Sequence, residues 1–463
     1  MRIELLTVML TNCVSLFEPL KSNSYICFSN KKNMKYHPIN NQLFIKNRAN
    51  FAAQMKPKSI AVFNSNDIYT TGADSSLPFH QHRDIFYLSG VDQEESILVI
   101  FPDASEKKHK EVLFVRETNE HIAIWEGAKL DKKQAAQTSG VETVYWLSDF
   151  DKVFFDLMTE AESIYFNTNE HYRQAVEMET REDRFIKMVK DKFPAHKWEK
   201  SFPIMHQLRG VKDQIEIELL QTACDITEKG FRRILQFVKP GVMEYEIEAE
   251  YMHEFLRNRS KGFAYTPIVG SGFNACVLHY IENNQECKDG DMLLMDVGAE
   301  YANYSSDMTR TIPVNGRFTD RQRAVYNAVH RVKDEATKML VPGTLWADYH
   351  VEVGKIMTSE LIGLRLIDKA DVQNEDPKWP AYKKYFMHGT SHHMGLDTHD
   401  YGELKTPMKA GMVFTVEPGI YIPDENMGIR LEDDVVIREK GDPFNLMRNI
   451  PIAADEIEEL MNS

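Results

Sequence analysis

Apolar runs that end beside an acidic residue are the dominant pattern in the second half of the chain. The run Met292–Met295 is followed by Asp296, and a turn-like stretch, residues 303–306, leads to Asp307. Residues 308–312 then alternate between apolar and polar side chains. Short apolar runs bounded by turns predict buried strands, and alternation predicts a half-buried strand. We therefore expect a hairpin that brings the two carboxylates together.

The same pattern occurs twice more near the C-terminal end. Residues 412–416 predict a strand that stops at Glu417, and residues 428–437 predict one continuous strand with Glu432 in its middle. A single acid at a strand end is usually a turn or cap residue. Four acids in apolar segments are different, because like charges are too costly to bury unless cations neutralise them.

The candidate ligands are carboxylates together with imidazoles from the histidine-rich residues 388–399. This set contains oxygen and nitrogen donors and no thiolate, which suits Mn²⁺, Fe²⁺, Co²⁺ or Zn²⁺. The negative charge is sufficient for two such ions side by side. The sequence therefore predicts a metal site.

Five stretches carry this chemistry in a fixed order. They are Leu278-His279-Tyr280, LLMDVGAEYANYSSDMTRTIPVNGRFT from Leu293, HGTSHHMGLDTHD from His388, GMVFTVEPGIYI from Gly411 and GIRLEDDVVI from Gly428. Together they resemble the dinuclear metallopeptidases of the pita-bread fold, which include methionine aminopeptidase, prolidase and aminopeptidase P. The order, spacing and flanking residues most resemble the aminopeptidase P branch, because methionine aminopeptidases usually lack a long N-terminal domain.

The resemblance implies a dinuclear metal centre with Mn²⁺ as the expected ion. Asp296 is expected to bind one ion, and Asp307 and Glu432 to bridge both. His392 and Glu417 are expected to complete the shell of the second ion. In the family's mechanism a hydroxide between the ions attacks the scissile carbonyl, and the residue that matches Glu417 handles its proton.

The resemblance also implies roles around the metal. His279, His388 and His399 are expected to line the substrate pocket, where His399 would stabilise the tetrahedral oxyanion. Arg430 is expected to orient the carboxylate ligands. His388 has an alternative as a hydrogen-bonded histidine beside the site. His393 has no family role and is expected to be a packing or surface residue.

The first half of the chain predicts a different sheet. Residues 58–63, 96–101 and 112–115 predict strands, and the segment between the first two resembles the part of the family's N-terminal domain that reaches the active-site rim. His80 and His82 lie in that segment. We do not expect them to be ligands, because the set of five is complete without them.

A domain boundary is expected near Leu208. Asp213–Glu216 predicts a capping box that starts a helix. Further helices are predicted from Glu244 to Arg257 and from Arg321 to Leu340, whereas the two prolines in residues 371–384 predict a loop.

Three parts are therefore expected in a chain of the α/β class. Residues 1–33 match nothing in the family and are expected to be a disordered leader or an artefact of the start site, since Met34 is an alternative start. Residues 34–207 are expected to form the N-terminal domain on a mixed sheet. Residues 208–463 are expected to form the pita-bread catalytic domain with a curved antiparallel sheet.

The composition of the chain limits its possible binding partners and its cellular location. A formal charge of −15 argues against nucleic acid, which requires a basic face. No apolar run approaches the roughly 18 residues of a membrane span. The five cysteines contain no CxxC pair, so a reducing cytoplasm is expected rather than a disulfide framework. A homo-oligomer, dimer or tetramer, is implied by the resemblance.

The resemblance implies a metal-dependent aminopeptidase that releases the first residue from peptides with proline second. Prolidase, which cleaves Xaa-Pro dipeptides, remains an alternative, although Ser391 and the segment Phe79–Gly90 favour aminopeptidase P. A non-catalytic binding protein on the same fold and a metal-free creatinase-like hydrolase are disfavoured, because all five ligand residues are present.

Overall fold

The computed structural model describes residues 36–168, 170–171, 173 and 177–463. The predicted leader and Met34 lie outside the described residues. The helices are α1 (Gln42–Ala52), α2 (Arg83–Ser89), α3 (Glu120–Glu126), α4 (Lys132–Ser139), α5 (Phe150–Glu160), α6 (Arg181–Lys192), α7 (Phe202–Gly210), α8 (Gln214–Phe237), α9 (Glu244–Arg257), α10 (Asp320–Lys338), α11 (Trp346–Gly363), α12 (Lys369–Gln373) and α13 (Ala454–Met461). The strands are β1 (Ser59–Asn64), β2 (Thr70–Gly72), β3 (Ser75–Ser76), β4 (Ile97–Ile100), β5 (Glu111–Val115), β6 (Thr143–Trp146), β7 (Ser163–Phe166), β8 (Lys197–Lys200), β9 (Ile268–Ser271), β10 (Met292–Val297), β11 (Glu300–Tyr301), β12 (Tyr304–Ser305), β13 (Met308–Pro313), β14 (Val413–Val416), β15 (Gly419–Ile422), β16 (Met427–Arg430), β17 (Asp433–Val436) and β18 (Phe444–Asn445).

The N-terminal half is built on a mixed sheet with the strand order β6-β5-β4-β1-β7-β8. Strand β1 pairs antiparallel with β4 and parallel with β7, so the predicted mixed sheet is confirmed. Central strands β1 and β4 are buried along their whole length, which explains their continuous apolar runs. The phenylalanines of α5 and α6 pack against one face of this sheet.

The first ligand-bearing strands of the C-terminal half form an antiparallel sheet in the order β13-β10-β9. Asp296 on β10 lies opposite Thr309 on β13, as expected for the predicted hairpin. A smaller hairpin, β11–β12, is inserted between them, and Ala302 and Asn303 adopt positive φ angles at its tip.

One predicted strand is wrong. Residues 428–437 form two strands, because β16 ends at Arg430 and β17 begins at Asp433. Strand β16 pairs with β15, whereas β17 pairs with β14 and β18. At the break, the amide of Leu431 donates to the carbonyl of Pro418 and the amide of Glu432 donates to the carbonyl of Thr309. Glu432 therefore lies at the junction of two sheets.

The predicted helices are present as α8, α9 and α10, and α8 starts with the expected capping box at Asp213. Residues 371–384 are not wholly a loop, since α12 ends at Gln373 and a 3₁₀ turn covers Ala381–Lys384. Helix α11 was not predicted, and its N-cap Leu345 makes no side-chain cap. In the described ranges, no helix is both long enough and apolar enough to cross a bilayer.

Candidate metal centre

The fold brings the five predicted ligands to one cavity of about 910 Å³. Asp296 is the penultimate residue of β10, and Asp307 immediately precedes β13. Glu417 directly follows β14 and Glu432 directly precedes β17. Antiparallel pairing within each sheet places both acids of a pair at the same end of their two strands, and both strand ends face one cavity.

His392 joins this group from an irregular segment that runs along β14. The amide of Thr415 donates to the carbonyl of His392, and the amide of His392 donates to the hydroxyl of Thr415. The Nε2 atom of His392 lies 3.4 Å from Oδ2 of Asp307 and 3.7 Å from Oε1 of Glu417. Ligand atoms of Asp307, His392 and Glu432 all lie within 4.8 Å of one another, a spacing that one ion could span.

Tyr265 connects two of the carboxylates. Its hydroxyl lies 2.6 Å from Oδ1 of Asp296 and 2.6 Å from Oδ1 of Asp307. One hydroxyl carries one proton and can donate to only one of them at a time. Burial, followed by the charges of the two aspartates, raises the pKa of Tyr265 well above its ordinary value. The side chain therefore remains a neutral donor that holds the two acids close together.

Arg430 is the cation next to the acids. Its Nη2 donates to Oδ2 of Asp296 at 2.6 Å and its Nε donates to the hydroxyl of Thr309 at 3.1 Å. Thr309 in turn donates to Oε2 of Glu432 at 2.6 Å. One guanidinium thus fixes Asp296 directly and Glu432 through a hydroxyl.

The clustered carboxylates repel one another when they are ionised. Burial and the neighbouring acids raise the pKa of Glu432 well above its ordinary value. Burial raises the pKa of Glu417 to about 7, against the opposing effect of His392 and Arg430. Burial lowers the pKa of His392, but its hydrogen bond to Asp307 and the charges of Glu417 and Asp307 outweigh this and raise it to about 9. A concentration of negative charge at oxygen donors, with one imidazole, fits divalent cations.

His388 belongs to a hydrogen-bonded chain beside the acids. Its Nδ1 donates to the carbonyl of Gly389 at 2.8 Å, which leaves Nε2 to accept from the hydroxyl of Tyr421 at 2.7 Å. Nη1 of Arg430 donates to the same hydroxyl at 2.9 Å. Burial, with the charge of Arg430 next, lowers the pKa of His388 to about 3. A Cβ at residue 419 would lie 2.6 Å from this hydroxyl, so Gly419 makes room for it.

The other two predicted pocket histidines line the same cavity. His279 is exposed to it. The ring of His399 stacks on that of His392, with the ring centroids 3.9 Å apart. Burial, with the charge of His392 next, lowers the pKa of His399 to about 2, so its imidazole is neutral.

The histidines that were not expected to be ligands make other contacts. His80 is half exposed, with Nδ1 3.5 Å from Glu300, and the side chain of His82 caps α2. His393 is buried with its ring 4.3 Å from that of Phe414, which is the expected packing role.

Sequence reasoning missed the hydroxyl groups that organise the site, namely those of Tyr265, Thr309 and Tyr421. Each is uncharged and sits in an ordinary apolar or alternating segment. The one available signal was Thr309, which follows Asp307 by two positions and therefore lies on the same face of β13.

The clustered acids at the ends of antiparallel strands, with one imidazole, form a site suited to divalent cations. Residues 218–439 match the model of metallopeptidase family M24, and residues 44–165 match the aminopeptidase P N-terminal domain. The chain belongs to metallopeptidase family M24, and it is a metal-dependent aminopeptidase with a pita-bread catalytic domain.

Relatives cover nearly the whole chain. This chain is 36% identical over 439 residues to the Xaa-Pro aminopeptidase of Escherichia coli K12, and the aligned region covers 91% of this chain and 98% of that protein. It is 31% identical over 420 residues to Xaa-Pro aminopeptidase 3 of Homo sapiens, covering 86% of this chain and 79% of that protein. Zinc-substituted E. coli aminopeptidase P in complex with product superimposes with a TM-score of 0.82 at 33% identity, over 92% of this chain and 99% of that one.

Proposed function

We propose that this aminopeptidase releases the N-terminal residue from peptides with proline in second position. The observation that carries the proposal is the convergence of Asp296, Asp307, His392, Glu417 and Glu432 on one cavity. Relatives named Xaa-Pro aminopeptidase, similar over almost the entire chain, supply the substrate class.

The metal is proposed to be a pair of divalent ions, with Mn²⁺ preferred. The donors are oxygen and imidazole nitrogen, which suit that ion. Asp296, Asp307, His392, Glu417 and Glu432 would hold the pair. We propose that Asp307 would serve both ions, and two contacts support this: it shares the hydroxyl of Tyr265 with Asp296, and its Oδ2 lies 3.4 Å from Nε2 of His392. When bound, such ions supply Lewis acidity and make a water nucleophilic at neutral pH.

The side chains of the protein supply proton transfer and orientation. Glu417 is proposed to take the proton from the attacking water and to pass it to the leaving nitrogen. His399 is neutral and faces the cavity, so its single N–H group is proposed to donate to the carbonyl oxygen as negative charge develops there. His279 and His388 are proposed to position the substrate, and Arg430 to hold Asp296 in place.

Substitutions at two residues test these roles. Glu417→Ala is expected to abolish turnover and to weaken metal retention, because it removes a donor from the cluster. His80→Ala, a surface-facing histidine outside the cavity, is the matched control and should leave metal content unchanged. Metal analysis of the purified variants gives the answer, and loss of bound ion in His80→Ala would overturn the ligand assignment.

Prolidase activity is the second candidate to test. Ser391, which favoured aminopeptidase P in the sequence, is buried and hydrogen-bonded to Tyr349 at 2.9 Å. We propose comparing an Xaa-Pro-Yaa tripeptide with an Xaa-Pro dipeptide in the presence of Mn²⁺. Faster release from the tripeptide supports the proposal, and cleavage of the dipeptide alone would mean prolidase. No cleavage of either would favour a binding protein.

Three further proposals concern the division into domains, the oligomeric state and the cellular location of the protein. Residues 34–207 and 208–463 are proposed to be the two domains, which limited proteolysis near Leu208 can test. A dimer or tetramer is proposed, to be measured by analytical ultracentrifugation. A cytoplasmic location is proposed because Cys224, Cys276 and Cys287 are free thiols, and cell fractionation can test it.

A further inference from the structure

A buried ionic network joins the N-terminal half of the chain to the segment that carries His399. We name it the Arg209 network, and its members are Asp84 on α2, Arg209 at the end of α7, Lys212, Asp397 and Asp400. Arg209 is 1% exposed. Buried charges are retained only when paired with good geometry, so this network fixes the parts that it joins.

The guanidinium of Arg209 contacts three carboxylates. Its Nη1 donates to Oδ1 of Asp84 at 2.9 Å, and its Nη2 donates to Oδ2 of Asp397 at 2.7 Å and also to Oδ1 of Asp400. Lys212 donates to the second oxygen of Asp400 at 2.8 Å. Burial raises the pKa of Asp400, but Arg209 and Lys212 outweigh it and lower the pKa to about 2. Asp400 is thus a carboxylate at every relevant pH.

The backbone around Asp400 is shaped to accept this contact. A Cβ on Gly395 would lie 2.0 Å from Oδ2 of Asp400, so only glycine permits the approach. The guanidinium of Arg209 also lies over the ring of Tyr401, 4.1 Å from its centroid. The amide of Asp400 donates to the carbonyl of His393. Residues 395–401 are therefore held at both ends.

In the sequence, His399 lies between Asp397 and Asp400, two of the three aspartates that Arg209 contacts. His399 lies outside the helices and strands, and its ring stacks on the ring of His392. Its position in the cavity is set by the backbone of Asp397 and Asp400. Those two residues are linked through Arg209 to Asp84, which the N-terminal half contributes from α2.

We propose that Arg209 is a positioning residue for the peptidase reaction, and that Asp84 acts through Arg209 to place the imidazole of His399. The N-terminal half thereby contributes to turnover without touching the substrate. The proposal rests on the proposed function, because the role of His399 in turnover comes from it.

The test compares two ion pairs that both cross from the N-terminal half. Asp84→Asn keeps the size of the side chain and removes its charge from the Arg209 network. Lys46→Ala, the matched control, breaks the exposed pair with Asp213, which does not touch residues 395–401. Because small displacements of reacting groups are expensive, we expect Asp84→Asn to lower kcat about 10-fold with KM and metal content unchanged. Lys46→Ala should change none of them.

A double-mutant cycle with His399→Ala separates positioning from general damage. If Asp84 acts through His399, Asp84→Asn should lower kcat by less than about 2-fold once His399 is absent. An equal loss in both backgrounds would overturn the proposal. Arg209→Lys is the second variant, since lysine keeps the charge but cannot reach three carboxylates, and it should behave as Asp84→Asn does.

Hydrogen exchange gives a readout that does not need activity. The amide of Asp400 donates to the carbonyl of His393, and the amide of Tyr401 donates to Oδ1 of Asp400. They should exchange about 10-fold faster in Asp84→Asn than in Lys46→Ala, because local opening becomes easier. Unchanged exchange would overturn the proposal even in an active enzyme. A wild-type protein that cleaves no proline peptide would instead contradict the proposed function and leave this comparison intact.

Discussion

Glu432 and Asp433 are neighbours in the chain and both are buried, yet their surroundings are opposite. Asp433 accepts from Nη2 of Arg310 at 2.7 Å and from Nζ of Lys333 at 2.5 Å. Burial raises the pKa of Asp433, but these two cations outweigh it and hold the pKa well below its usual range. Asn445 donates a third hydrogen bond at 2.8 Å.

Glu432 faces the cavity on the other side of the same backbone. The hydroxyl of Thr309 donates to Oε2 of Glu432, and three further acids lie around it. Burial and these acids raise its pKa. Asp433 shows that a buried acid stabilises the fold where the chain provides its cations. Glu432 shows that a buried acid forms a binding site where the cations must come from solution.

The largest effect is expected from Glu432→Gln, which removes one negative charge from the cavity. We expect a loss of activity of at least about 10³-fold, because metal-site residues contribute several kcal/mol to the transition state. The metal-free variant should fold at least as stably as the wild type, since it buries one acid fewer. Activity, metal content and urea unfolding of chelated protein measure these outcomes. A destabilised metal-free variant would contradict the comparison.

Asp433→Asn should have the converse effect. Removing one partner of a buried ion pair typically costs about 3–5 kcal/mol, and here Arg310 and Lys333 would lose their charged acceptor. Urea unfolding should show this loss, while the metal content of the folded protein stays at the wild-type value. If Asp433→Asn were neutral in stability but devoid of metal, the two acids would not have separate roles.

The pH dependence of the metal-free protein should also reflect the cavity. The pKa of Glu417 is raised from 4.5 to about 7, so between these values the folded state holds a proton that the unfolded state has released. The contribution of Glu417 to stability therefore falls as pH rises through this window, by about 1.4 kcal/mol per pH unit, whereas the lowered pKa values of His388 and His399 act in the opposite direction below pH 6.5. Unfolding of chelated wild type and chelated Glu417→Gln at about pH 5 and about pH 7 isolates this contribution as the difference between the two slopes. Added Mn²⁺ should abolish the difference, and equal slopes without metal would disprove the expectation.

The smallest effect is expected from Tyr265→Phe. The hydroxyl holds Asp296 and Asp307 together, and loss of such an outer contact typically weakens metal binding about 10-fold. Titration with Mn²⁺ against a competing chelator would show it. Tyr251→Phe is the control, because its buried hydroxyl donates to the sulfur of Met295, which is not a proposed ligand, and the substitution should leave metal affinity unchanged.

The sequence predicted the ligand-bearing strands because an acid interrupts an apolar run at a visible place. Asp296 in β10 and Glu417 after β14 are of this kind. Glu432 was placed within one strand, and that prediction was wrong. The break before Asp433 depends on hydrogen bonds from Leu431 and Glu432 to carbonyls of distant segments, which local pattern does not contain.

The rest of the site was out of reach for a similar reason. Thr309 and Glu432 are 123 residues apart in the chain, and Arg209 and Asp397 are 188 apart. Apart from the position of Thr309 two residues after Asp307, nothing in the residues around Thr309 or Arg209 distinguishes them from ordinary strand and helix-end positions. Their importance appears only when tertiary packing supplies the partners.

The separation of the ligands along the chain has a consequence for synthesis on the ribosome. The proposed donors extend from Asp296 to Glu432, and the sheet that contains β10 forms from residues made well before β17. A nascent chain therefore holds an incomplete site through most of translation. Peptidase activity therefore requires that residue 432 has left the ribosome and that Glu432 has docked against Thr309.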